Sequence, residues 1–209
     1  MTNYIFLIII SFFSGSIMYS YLIPKLFYKK DITKLSEDKN PGTANVMHCV
    51  GILPGILCLV LDILKGFVPL YFASRHINVS NMMFSLIIAA PIAGHAFSPF
   101  LKFHGGKAIA VTFGVFLGLF PFSNAFVYLA AAMIFLSVII KITPHSLRVI
   151  LSMVAFSVCC ILFEDIRSII TGSIIISGIV IIKHLANYGN EKAKISFILW
   201  DKYIQKKNI

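Results

Sequence analysis

Gly105-Gly106-Lys107, a turn between two apolar runs, is the stretch whose residue types and spacing could do chemistry. A helix that ends, turns on glycines and restarts presents unpaired backbone N–H groups at its new N-terminus. With a lysine alongside, such a turn can hold phosphate or another anion. It is not a Walker A loop, because the upstream glycine and the Lys-Ser/Thr pair are absent. A plain inter-helix connection with a snorkelling lysine is the competing reading. A second lysine, Lys102, and two histidines, His95 and His104, lie in the same stretch. Either histidine could be a structural residue at a helix end.

Other residues could join such a site. Asn40-Pro41-Gly42-Thr43-Ala44-Asn45 is rich in turn formers and small donors. Asn40, Thr43 and Asn45 can hydrogen-bond an oxyanion or cap the next helix, and Gly42 allows close backbone approach. Asp62 and Lys65 are three apart, so they share a helix face. They form either a structural ion pair or, through Lys65, part of an anion site. His184 and Asn187, also three apart, follow the last apolar run and could point into the bundle together. None of the six histidines has an aspartate five positions on, which argues against the His/Asp class of glycerolipid acyltransferases. No spacing suits a metal, and no cofactor is expected. Cys49, Cys58, Cys159 and Cys160 form no CxxC pair and read as small buried apolar residues.

The elements that must position these groups are membrane helices. The chain of 209 residues is 58% hydrophobic and 12% charged, with mean hydropathy +0.90. A soluble domain carries about a quarter charged residues. Residues 1–209 therefore read as one all-α polytopic membrane domain, with 190–209 as a basic cytoplasmic tail. Apolar runs at 4–23, 46–72, 82–100, 108–120, 125–142, 149–163 and 169–182 give about seven transmembrane helices, the fourth and sixth short. The first run has no basic stretch before it and no small-residue cleavage site after it, and is expected to be retained.

The net charge is +10. Of the 18 Lys and Arg residues, all but Lys65, Arg75 and Arg167 fall after the first, third and fifth spans or in the tail. The positive-inside rule then puts the N-terminus outside and the C-terminus in the cytoplasm. The 29–45 loop, the Gly-Gly-Lys turn and the His184 region consequently share the cytoplasmic face. That arrangement suits a site open both to a soluble anion and to membrane lipids. The basic balance does not point to nucleic acid, since no hydrophilic domain carries it.

Taken together, these pieces resemble the PlsY family of acyl-phosphate:glycerol-3-phosphate acyltransferases over nearly the whole chain. The resemblance rests on Gly15-Ser16-Ile17 with Tyr21-Leu22-Ile23, then Asn40 to Val46 and Leu61-Asp62-Ile63-Leu64-Lys65-Gly66. Gly94-His95, Gly105-Gly106-Lys107-Ala108 and His184-x-x-Asn187 complete it. The resemblance implies a bacterial inner-membrane enzyme that moves a fatty acyl group from acyl-phosphate to glycerol 3-phosphate, giving lysophosphatidic acid and phosphate. It implies phosphate binding by Lys107 and the Gly105-Gly106 backbone, with Asn40 and Asn45 lining the site. His184 and Asn187 would orient a substrate, and Asp62 and Lys65 would support or shape the site.

There are departures from the family pattern. The family usually reads Gly-Ser-Gly-Asn before the Pro-Gly, where this chain has Ser36-Glu37-Asp38-Lys39-Asn40, making Ser36 the candidate for the family serine. An arginine usually two residues past Asn45-Val46 is here His48, shorter and only partly charged near neutral pH. A divergent member is expected. A non-catalytic lipid-phosphate binder, an enzyme for another phosphate-bearing acceptor and a small-solute transporter are the competing functions.

Overall fold

A computed structural model describes residues 2–186, 188 and 193–197. The chain is a bundle of helices, and the way its first two apolar runs break positions everything else. The first run is two helices, α1 (Thr2–Ser16) and α2 (Tyr19–Phe27), meeting at 42°. A break inside a membrane frees backbone carbonyls that have no water to bond to. Here side chains from other helices and loops meet two of them. Ser98 Oγ donates to the Ser16 carbonyl at 2.7 Å, and Lys65 Nζ donates to the Ile17 carbonyl at 2.6 Å.

The second run also divides. The run expected over 46–72 is a short helix, α4 (Thr43–Cys49), and a long one, α5 (Ile52–His76). Gly51 joins them at φ +149°, a conformation that L side chains rarely adopt. A four-residue helix, α3 (Ile32–Leu35), precedes them. Asp31 caps it, accepting from the Thr33 backbone N–H and hydroxyl.

Next come α6 (Phe84–Ala96), α7 (Ile109–Gly118), α8 (Ala125–Ile134), α9 (His145–Phe163) and α10 (Arg167–Leu185). By length and apolarity, Ile52–His76, Phe84–Leu101, His145–Phe163 and Arg167–Leu185 can each cross a membrane, and the bent α1–α2 pair makes a fifth candidate. The expected fourth span is only the 10 residues of α7, reaching about 15 Å of the ~30 Å hydrocarbon core. The expected fifth is α8 plus one π turn, Phe135–Ile139. The expected sixth, by contrast, has full length, because α9 starts four residues earlier than the apolar run. One departure from an all-helical fold is a two-stranded antiparallel ribbon. Here β1 (Ile140–Thr143) pairs with β2 (Lys194–Phe197), Thr143 opposite Lys194.

Two helix pairs cross at very short range because glycine stands at the crossing. A Cβ on Gly94 of α6 would lie 2.0 Å from the Phe12 carbonyl oxygen of α1. One on Gly114 of α7 would lie 1.9 Å from the Ile63 carbonyl oxygen of α5. Close backbone approach is how helices pack in lipid, where no hydrophobic effect drives them together. The core between them holds Phe116 and Phe156, edge to face with ring centroids 4.9 Å apart.

Asp62 and Lys65 lie in this packing as an ion pair, Nζ to Oδ1 2.7 Å, both side chains almost fully buried. Ser20 Oγ donates to Asp62 Oδ2 at 2.9 Å, and Ser14 Oγ donates to the Lys65 carbonyl at 2.8 Å. Lys65→Met leaves Asp62 buried without its countercharge and the Ile17 carbonyl without a donor. It should cost about 3 kcal/mol in thermal unfolding of the detergent-solubilised protein, and pairing it with Asp62→Leu should recover part of that loss. Gly114→Val should lower stability by about 2 kcal/mol or more, whereas Leu57→Ala, on an exposed part of α5, should change it far less.

Candidate functional site

Two adjoining cavities open among the polar segments. The larger, about 710 Å³, is lined by residues that include Ser36, Glu37, Cys49, Pro144, Ser146 and Tyr188. The smaller, about 290 Å³, is lined by Asn40, Gly42, Thr43, Asp62, His95 and the start of α7, among others. Asp38, Asn45, His48, Lys107 and His145 line both and form their common wall. The 29–45 loop and the segment after the Gly-Gly pair, far apart in sequence, therefore meet at one site.

Lys107 reaches the common wall from the loop between α6 and α7. Its ammonium lies 2.8 Å from Asp38 Oδ2. Asp38 Oδ1 accepts from Asn45 Nδ2 at 2.8 Å and from the Asn40 backbone N–H at 3.2 Å. Asn45 Nδ2 also donates to the Asn40 carbonyl at 2.7 Å. Partial burial pushes the Asp38 carboxyl up, but the hydrogen bonds from Lys107, Asn45 and Asn40 outweigh it and hold the group below the usual carboxylate range.

The Gly105-Gly106 backbone does something other than cradle phosphate. The Gly105 N–H donates to the Ala96 carbonyl at 3.2 Å and the Gly106 N–H to the His95 carbonyl at 3.1 Å. Both amides thus satisfy the C-terminal end of α6. Glycine is required there by space: a Cβ on Gly105 would lie 1.8 Å from the His95 carbonyl oxygen, and one on Gly106 2.3 Å from His95 Nε2. The N–H groups without intrahelical acceptors belong instead to the first turn of α7. Ile109 and Ala110 of that turn line the smaller cavity next to Lys107.

The remaining sequence candidates divide. Asn40, Gly42, Thr43, Asn45, His48 and His95 all line the smaller cavity. Ser36 borders the larger one, but its hydroxyl hydrogen is given to the Ile32 carbonyl at 2.8 Å, inside its own turn. Lys65 lines neither cavity; its ammonium is spent on Asp62 and Ile17, while Asp62 itself reaches the smaller cavity. Lys102 is exposed, in the left-handed region at φ 52°, and lines neither. His184 is fully buried at the end of α10, behind His145, the ring centroids 5.8 Å apart. Both its ring nitrogens lack hydrogen-bond partners among the described residues. Asn187 lies outside the described residues.

Sequence reasoning missed Asp38 and His145. Asp38 looked like one more charge in a solvated loop. His145 follows Pro144 at the start of α9, and its Nδ1 accepts from Arg148 Nη2 at 2.8 Å, an i,i+3 pairing that the spacing would have allowed. Because the native pairing holds the Asp38 carboxyl below its unfolded value, it stabilises the fold above the unfolded pKa. That stabilisation is lost as the pH falls through the lower, folded value. The thermal midpoint of Asp38→Asn should therefore lie below wild type at neutral pH and begin to converge with it only as the pH falls below about 4, as followed by melting across that range.

A family profile described as glycerol-3-phosphate acyltransferase matches residues 5–194. The "Glycerol-3-phosphate acyltransferase" of Leptospira borgpetersenii serovar Hardjo-bovis is 38% identical over 190 residues, covering 88% of this chain and 86% of that one. The "Glycerol-3-phosphate acyltransferase 2" of Lactobacillus johnsonii is 33% identical over 207 residues, covering 95% and 90%. The crystal structure of PlsY (YgiH), an integral membrane glycerol 3-phosphate acyltransferase, in its glycerol 3-phosphate form superposes with a TM-score of 0.76. The identity is 26%, over 88% of this chain and 90% of that one. The lysophosphatidic acid form gives 0.74. This integral membrane chain belongs to the glycerol-3-phosphate acyltransferase family.

Proposed function

We propose that the chain transfers a fatty acyl group from acyl-phosphate to the primary hydroxyl of glycerol 3-phosphate at the cytoplasmic face of a bacterial inner membrane. The observation that carries this reading is the pair of adjoining cavities with Lys107, His48, Asn45 and His145 in their common wall. The reaction must hold two phosphate-bearing molecules side by side, and one wall that offers an ammonium, two imidazoles and an amide to two chambers meets that need. A similar protein, solved in both a glycerol 3-phosphate and a lysophosphatidic acid form, supports it. The charge asymmetry of the loops supports the orientation.

In this reading the hydroxyl oxygen attacks the carbonyl carbon of the mixed anhydride. The bond from that carbon to the bridging oxygen breaks, and phosphate leaves with the electron pair. The donor is already activated, so no protein nucleophile is needed. Lys107 and the first-turn N–H groups of α7 offset the charge that gathers on the departing phosphate. Asn40, Gly42, Thr43, Asn45 and His48 hold the phosphate-bearing substrates. His145, with His184 behind it, orients the acceptor hydroxyl, whose proton passes to the leaving phosphate. Ser36 borders the larger cavity, and the role expected of Asn187 is to orient a substrate. Lys65 and His95 keep its frame, Gly105 and Gly106 fix the loop that carries Lys107, and Lys102 meets lipid headgroups.

Purified protein given acyl-phosphate and glycerol 3-phosphate should release inorganic phosphate and lysophosphatidic acid only when both are present. Lys107→Ala should lower kcat/KM about 100-fold or more. Acceptor-independent release, or none from folded protein, would refute the assignment.

A further inference from the structure

The three donors that hold Asp38 are of the kind a phosphate oxygen would need, and the residues that supply them, Lys107, Asn45 and Asn40, all belong to the proposed binding set. A carboxylate with both oxygens engaged by an ammonium, an amide and a backbone N–H has the charge and spacing of part of a phosphate. Lys107 and Asp38 are 16% and 34% exposed, so the pair lies at the wall rather than out in solvent. The carboxylate neutralises a half-buried cation that would otherwise face an empty cavity. Asp38 is also free to leave. It sits in the turn closed by Lys39 N–H to the Ser36 carbonyl at 3.1 Å, between α3 and α4, and not inside a helix.

We infer that Asp38 is a resident occupant of the anion cradle, which a substrate phosphate enters only by displacing its carboxylate. The residue then sets the apparent affinity for phosphate: a cradle filled by its own loop most of the time binds ligand more weakly in proportion to the fraction of time it stands open. The displaced carboxylate goes to water, and the incoming phosphate takes over the Lys107, Asn45 and Asn40 contacts. This inference rests on the phosphate-binding role given to Lys107 and Asn45 above, but not on acyl transfer itself.

Titration calorimetry of the full chain in detergent micelles, with inorganic phosphate as the sole ligand, tests it without any turnover. Asp38→Asn keeps the side-chain shape and removes the charge; phosphate should then bind about 10-fold more tightly than to wild type. Asp38→Ser, which also shortens the side chain, should move affinity the same way and decides the matter if the asparagine variant does not fold. Lys107→Ala should weaken binding. In the acyl-transfer assay Asp38→Asn should lower the KM for glycerol 3-phosphate or acyl-phosphate. Phosphate affinity equal to or weaker than wild type in folded Asp38 variants would overturn the inference. So would a loss of kcat at unchanged phosphate affinity, the signature of a carboxylate that takes the hydroxyl proton. A protein that binds phosphate as expected but transfers no acyl group would keep this inference and remove the proposed reaction.

Discussion

The ion pair of Asp62 and Lys65 makes the bent first span possible. In hydrocarbon a broken helix is tolerated only where another group meets the freed carbonyls. Lys65 does this for Ile17 while staying paired to Asp62, and Ser20 takes the other carboxylate oxygen. The cluster joins α1, α2 and α5 at one depth. The bend it allows lets α2 lead into the loop that carries Ser36 to Asn45. Asp62 touches the smaller cavity directly. Charges that read in the sequence as either support or site thus brace the frame, with one edge exposed to the chamber.

A second constraint is space. Gly105 and Gly106 let the loop after α6 fold back onto the His95 ring and the last carbonyls of that helix. Lys183 Nζ donates to the Ala96 carbonyl as well, at 3.0 Å, tying α10 to the same point. The direction in which Lys107 leaves the loop is therefore fixed by contacts among α6, α10 and the glycine pair. That explains why a lysine on a connection can serve a site that needs a defined geometry.

Much of this was legible in the sequence. The apolar runs identify a helical membrane protein; charge asymmetry puts the segments of Lys107, Asn45 and Asn40 on one expected face, and His48 enters through the family resemblance. Other features could not be read. The broken spans depend on partners such as Lys65 for Ile17, 48 positions away, which no local pattern reveals. The glycines suggested exposed amides, yet tertiary packing consumes those amides. Asp38 carried no apolar period or motif; only its contact with Lys107, 69 positions on, sets it apart from its charged neighbours. The ribbon of β1 and β2 was hidden because β1 continues the apolar run of α8 and β2 lies in what looked like a tail.

That ribbon bears on how the protein is made. β1 ends at Thr143, next to Pro144 and His145 in the cavity wall, and its partner β2 follows α10. Residues 194–197 are synthesised after every described helix. The wall that carries His145 therefore gains this last brace only once synthesis has passed α10. Until then the nascent chain holds Lys107 and the 29–45 loop beside a wall that lacks its ribbon.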